Sequence, residues 1–282
     1  MEFFLEPFAL GFQQRALMGG LLAAIMTAVV GTWLVLRGMS FFGDAFVHGV
    51  IPGIAAAAFF DFNPLIGAAI AAFLMVLLIE VIHRQTTLSE DTAIGLLFVG
   101  MLALGVVIVS KVDSYSGSIT TILFGDALGV TATDLRTQLV LAVVVIVAGL
   151  LMYRPLLALA FNRDKATMWK LHPGRTHAIF MALVAISVIG SYQSVGTLLV
   201  FGFLVGPPAA AALISRSVKT MMLFAAGISS FSVWLGLTLS YHFSTAGSAT
   251  MAVIPVFIFF ILLIWKRFSA RSSSRKVEVS NA

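Results

Sequence analysis

The chain has 282 residues, of which 60% are hydrophobic and only 10% charged, with no cysteine and a formal net charge of +5. A soluble domain carries about a quarter charged residues, and a single core of this length has no use for so much apolar surface. Ordinary soluble domains, disordered chains and nucleic-acid binders are excluded, as are disulfides, Cys-held zinc and iron–sulfur clusters, and an integral membrane protein of several spans remains.

The N-terminus opens MEFFLEPF, with acidic residues where a cleavable signal peptide wants basic ones, so the first helix is expected to be retained. A spanning helix needs roughly 20 predominantly apolar residues. Such runs fall near 16–36, 44–60, 63–82, 92–110, 137–153, 176–192, 195–214, 220–240 and 250–265. Alternation of period two is absent, which speaks against a β-barrel. The expected fold class is therefore all-α, a polytopic membrane protein of about eight to nine transmembrane helices. The stretch 111–136 mixes Lys111, Asp113 and Asp126 with short apolar runs and suits a half-helix or a re-entrant piece. Residues 1–265 form one membrane domain. The basic, Ser-rich tail 266–282 is expected to be disordered, cytoplasmic and close to anionic headgroups.

Lys and Arg set the orientation. With the loops at 37, 84, 154–175 and 216–219 and the tail inside, 14 of the 17 basic residues are cytoplasmic, and only Arg15, Lys111 and Arg136 lie outside. Nine spans then place the N-terminus outside. Trp33, Trp234 and Trp265 near span ends read as interfacial anchors.

Several chemistries lack their motif. There is no G-x-x-x-x-G-K-[ST] for a nucleotide phosphate, no H-E-x-x-H and no nucleophile elbow. The polar loops leave no room for a soluble catalytic domain. The chain is expected to be a transport subunit and not an enzyme, with no permanently bound cofactor.

Charged groups inside a membrane cost a few kcal/mol each by insertion scales and mark function. Asp44 enters an apolar helix together with His48 in GDAFVHGVIPGIAAAAFF, residues 43–60. Four residues apart, the two share one helix face about one turn apart. Carboxylate oxygen and imidazole nitrogen suit Mn²⁺, Zn²⁺ or Fe²⁺, and two ligands hold an ion weakly enough for transit. By spacing alone, a helix-capping Asp44 and a hydrogen-bonded His48 are equally good. Pro52 and Gly53 follow on the same helix and predict a kink, and Gly49, Gly53 and Ala55–Ala58 allow close helix packing.

GDAFVHGVIPGIAAA resembles the D-A-x-S-H-A-V-L-P-G motif of the metal-type ABC importer permeases, the ABC-3 family. Three further stretches resemble that family in order: SEDTAIGLLFVGMLALGV (89–106), ILFGDALGVTATDL (122–135) and SVGTLLVFGFLVGPPAAAALI (194–214). The resemblance spans residues 16–265. It implies a fold like that of the vitamin B12-type importer permease, in the bacterial cytoplasmic membrane. It implies a second permease copy, two cytoplasmic ABC ATPase subunits, an extracellular metal-binding protein, and Mn²⁺, Zn²⁺ or Fe²⁺ as cargo. Asp44 and His48 match the motif positions that contact metal. The chain departs from the family pattern at Val47, where Ser is common, and at Phe161-Asn162, where Phe-Asp is common.

The same resemblance assigns ATPase coupling to GPPAAAALISRSVKT (206–220), with Arg216 the main polar contact and Lys219 beside it. Pro207 and Pro208 are expected to end the helix arriving from 195, leaving a short helix over 209–214. A plain helical hairpin with positive-inside anchors is the alternative. His242 reads as an interfacial residue on the outside or as a receiver of metal. His83, His172 and His177 read as loop residues. Asp126 is either a pathway residue or a half-helix cap. Two other functions fit the composition: a secondary cation/proton carrier, which wants more intramembrane acids, and an ABC permease for a siderophore or corrinoid, which has no need of an Asp–His pair.

Overall fold

The computed structural model describes residues 3, 6–85, 90–111, 129–161 and 172–280, and its regular elements are all helices. The side chains at 83–84, 90–91, 193–194, 197–198 and 269–280 lie outside the description. Expectations for Asp113, Asp126, Asn162 and most of the 111–136 stretch also fall outside it.

A short 3-10 turn at Glu6–Ala9 precedes α1 (Gly11–Leu36). The chain reverses at Gly38, whose φ of 68° is open to glycine without strain. Two short helices, α2 (Ser40–Gly49) and α3 (Ile51–Phe59), together form one apolar stretch. Then come α4 (Pro64–Gln85), α5 (Glu90–Val109), α6 (Ala132–Leu151) and α7 (Tyr153–Phe161). The C-terminal part holds α8 (Pro173–Val195), α9 (Thr197–Ile214), α10 (Val218–Phe243) and α11 (Gly247–Ser280). Among the described residues, 8 stretches are long and apolar enough to cross a membrane, and Leu199–Ile214 is a shorter apolar helix. The expected eight to nine helices are present.

Helix starts extend beyond the apolar runs because polar caps belong to the helix but not to its apolar stripe. Thr131 accepts from the Asp134 backbone N–H, and the Asp134 carboxylate accepts the Thr131 N–H at 3.0 Å. Ser217 and Thr220 make the same reciprocal pair at the start of α10. Each box satisfies N–H groups that have no intrahelical acceptor.

The central element is α1, which packs on α6, α8, α9 and α10. Its apolar window is 67% buried, against 17% for that of α11. Leu96, Val99 and Val106 on α5 and Phe257, Phe260 and Ile261 on α11 are exposed. Lipid tails solvate such faces, so their exposure is not a defect of packing.

Small residues set the tightest seam, between the α2–α3 stretch and α4. A Cβ at Gly49 would meet the Met75 sulfur, one at Gly53 the Gly67 carbonyl oxygen, and one at Gly67 the Gly53 carbonyl oxygen. Gly49 closes α2 and Gly53 lies in the first turn of α3, and both face α4.

Three expectations are corrected. Pro207 and Pro208 do not end a helix: α9 runs through both to Ile214. The missing proline donors release the carbonyls of Phe203 and Leu204, four residues earlier. The Leu204 carbonyl oxygen points at Gly31 of α1, where a Cβ would stand only 2.1 Å from it. A neighbouring helix thus covers the freed group, the condition under which proline persists in a membrane helix. Trp33 is not an interfacial anchor; it is 1% exposed and meets Tyr153 edge to face at 5.4 Å. His83 and His177 are not in loops but lie within α4 and α8. A further element, α7, occupies part of the loop expected after residue 153, with Pro155 in its first turn, where its missing donor costs nothing. The last helix continues to Ser280, through the segment expected as a tail.

The two ends of the bundle gather residues as the charge argument sorts them. At one end Arg15 Nε donates to the Val130 carbonyl at 2.9 Å, and His242 lies 2.8 Å from the Phe3 carbonyl. At the other Arg37 donates to His177 Nδ1 at 2.9 Å, and Lys219 stands over the Tyr153 ring.

Candidate functional site

Asp44 and His48 lie on α2, with Asp44 one turn before His48. The helix is held from several sides. Phe42 and Phe46 are buried, Gly43 lies against Leu34 of α1, and Phe41 meets Phe98 of α5 at 6.0 Å. His48 also packs edge-on against Phe98, with ring centroids 5.6 Å apart. Phe98 thus restricts the imidazole from the α5 side.

The Asp44 Oδ1 to His48 Nε2 distance is 3.6 Å, too long for a hydrogen bond. No direct hydrogen bond closes the gap between the two atoms. Two donors on one tetrahedral ion at about 2.05 Å each stand roughly 3.3 Å apart, so the gap nearly matches a bridging cation. The side chains are 27% and 16% exposed for Asp44 and His48, enough for an ion to reach them without bulk hydration. His48 Nδ1 is buried and has no hydrogen-bond partner among the described residues. A buried polar atom in that position costs about 1–3 kcal/mol and calls for a functional explanation. No group of three or more His, Asp or Glu residues able to hold a metal occurs among the described residues. The pair by itself is a two-ligand site.

Past His48 the helix is interrupted at Val50, whose carbonyl accepts from Gly53 at 3.1 Å and from Ile54 at 3.2 Å. Pro52 sits in the first turn of α3 and packs near Gly105 of α5. Gly53 lies in the seam with α4. The interruption and the Asp44–His48 pair are therefore about one turn apart on the same span.

Arg216 and the Ser217 cap occupy the three-residue link between α9 and α10, and Lys219 is in the first turn of α10. Arg216 and Lys219 are exposed. This link is far along the chain from Asp44, yet α9 packs on α2, so a tilt of α9 reaches the Asp44 helix through direct contact.

Sequence reasoning missed the Arg37–His177 pair, 140 residues apart in the chain, and the Phe180 ring 5.0 Å beneath the Arg37 guanidinium. No local pattern signals either. It also missed Gln138, buried in α6, whose amide donates to the Gly19 carbonyl at 2.9 Å. His242 stacks on Phe3 with ring centroids 3.7 Å apart.

The chain matches the model of the ABC 3 transport family over residues 9–266. It is 32% identical over 269 residues to the manganese transport system membrane protein MntC of Listeria innocua, covering 95% of this chain and 96% of that one. It is 29% identical over 277 residues to the chelated iron transport system membrane protein YfeD of Yersinia pestis, covering 98% and 93%. Among solved structures, a chain of PsaBC from Streptococcus pneumoniae in complex with Fab superposes with a TM-score of 0.83 at 29% identity, covering 93% of this chain and 94% of that one.

Proposed function

The chain belongs to the ABC 3 transport family, and from that membership we propose that it passes manganese or iron, as the divalent ion, across the membrane by way of Asp44 and His48. It is the membrane-spanning permease subunit of a metal importer of the ATP-binding-cassette class, a multi-pass protein of the bacterial plasma membrane.

The observation that carries the ion site is the open Asp44–His48 pair. The carboxylate supplies the negative charge that draws a dication into an apolar span, and the imidazole supplies a second donor 3.6 Å away. Two protein ligands leave the remaining coordination to water or to another chain. The ion is thus held and also able to leave, which transport requires. Zinc fits the same donors.

The energy source and delivery belong to partners. Two cytoplasmic ATPase subunits would grip the α9–α10 link through Arg216. Closing of the ATPases would tilt α9 and α10 and, through the α9–α2 contact, shift the helix that carries the pair. A metal-binding protein outside would hand over the ion, and a second permease copy would complete the pathway. Metal selectivity would rest largely on that binding protein.

The test is cellular manganese, iron and zinc content by elemental mass spectrometry in cells lacking the chain, cells restored with it, and cells restored with Asp44→Ala. One metal should fall without the chain and recover only with the unaltered protein. No change in any metal under metal-limited growth would overturn the proposed cargo.

A further inference from the structure

A groove of about 580 Å³ opens at the Lys219 end of the bundle, between the last turn of α6, the start of α7 and the first turns of α10. Its walls are Leu150, Leu151, Met222 and Leu223, and its rim carries Tyr153, Arg154 and Lys219. We propose that this groove binds one anionic phospholipid, with an acyl chain along the leucines and the phosphate held between Arg154 and Lys219.

Three observations favour that occupant. The first is depth. The apolar span of α6 ends at Leu151 and that of α10 begins at Val218. Arg154 lies three residues past the first boundary and Lys219 one residue inside the second, so both stand within about 5 Å of the span ends at 1.5 Å per residue. That is the level of the lipid headgroups. Leu151 and Leu223 are 78% and 72% exposed at the level of the acyl chains.

The second is charge. Among the described residues, the lining contains two cations and no carboxylate. An acidic protein surface would also meet the cations but has no use for an apolar trough beneath them. A glycerophospholipid carries both parts in one molecule. Basic pockets between spans on the cytoplasmic side are suited to anionic headgroups, and Lys/Arg excess places this end there.

The third is pre-organisation. Lys219 Nζ stands 5.8 Å from the centroid of the Tyr153 ring, and Tyr153 is itself braced by the buried Trp33 at 5.4 Å. A cation held over a ring loses less freedom on binding a phosphate than a free lysine does. Lys219 directly follows the α9–α10 link. A lipid seated there would set the position of the segment on which ATPase coupling is proposed, and so make transport sensitive to the anionic lipid content of the inner leaflet.

The experiment is native mass spectrometry of the full-length chain, delipidated in detergent and then exposed to equal amounts of phosphatidylglycerol and phosphatidylcholine. The unaltered chain should retain one phosphatidylglycerol in preference to phosphatidylcholine by about tenfold or more, since each basic residue near a headgroup contributes roughly fivefold. Arg154→Gln with Lys219→Gln should bring the ratio to within about twofold of one. Leu223→Trp, at an exposed position, should fill the trough and lower retention of both lipids. Arg271→Gln with Arg275→Gln should leave the preference intact. Unchanged preference in the groove variant overturns the proposal. So does an equal loss in the tail variant, which would mean diffuse surface charge. So does loss of co-purifying ATPase in the groove variant with lipid preference preserved, which would mark a protein-docking surface. None of these readouts depends on metal transport, so their failure is distinct from failure of the proposed cargo.

Discussion

Gly53 of α3 and Gly67 of α4 each point an α carbon at the other's carbonyl group: an added Cβ would stand 2.0 Å from the Gly67 oxygen and 2.2 Å from the Gly53 oxygen. The contact is reciprocal, backbone against backbone, and no flexible side chain can yield. It lies about one turn beyond His48 and holds the second half of the Asp44–His48 span against α4.

Gly53→Ala and Gly67→Ala should therefore each lower stability by about 1–3 kcal/mol through overpacking, with helix separation as the only relief. Gly100→Ala in α5 is the control, because nothing lies within 4 Å of its added Cβ. It should be neutral or stabilising, since alanine favours a helix by up to about 1 kcal/mol over glycine. Heating in detergent followed by gel filtration reads the difference, and equal behaviour of the three variants would contradict the seam.

Asp44→Ala and His48→Ala should each reduce metal uptake by about tenfold or more, the consequence of losing about 1.4 kcal/mol of ion binding. His48→Ala gives up only the edge contact with Phe98, and the buried Phe42 and Phe46 keep α2 in place, so membrane insertion and folded yield should stay near those of the unaltered chain. Radiolabelled manganese uptake, read beside protein level, separates the two effects. Near-normal uptake in both variants would remove the pair from the pathway.

Gly31 and Pro208 meet through the Leu204 carbonyl. Gly31→Ala should destabilise strongly, because its Cβ would fall 2.1 Å from that oxygen. Pro208→Ala should keep the fold, because α9 is already continuous through residue 208 and alanine restores the donor that Leu204 lacks. A greater loss of folded protein from Pro208→Ala than from Gly31→Ala would mean that the prolines, not the glycine contact, hold α9 in place.

Arg216→Glu should uncouple ATP hydrolysis from transport while the permease remains folded, since the side chain is exposed in the α9–α10 link. Ser217→Ala, one residue on, should instead cost about 1 kcal/mol of stability by removing the cap of α10. The two phenotypes are separable by measuring ATPase activity per transported ion and thermal stability in parallel. Wild-type coupling in Arg216→Glu would move the ATPase contact elsewhere.

The spans, their basic flanks and the Asp44–His48 pair were legible in order along the chain because each is a local property: a run of about 20 apolar residues, a loop rich in Lys and Arg, a carboxylate and an imidazole at a four-residue spacing. The small residues at 49 and 53 also announced a close crossing. Their partner, Gly67, is set by the fold, as are the path of α9 through Pro207 and Pro208, the burial of Trp33, the Arg37–His177 bond and the Lys219–Tyr153 contact. The reason is the solvent. In water a polar stripe tells which face of a helix is buried. In a chain that is 60% hydrophobic, lipid tails and protein interior are equally apolar, so hydropathy marks the span but not its inward face. That face is decided by shape, where a glycine admits a neighbouring backbone and a released carbonyl finds cover.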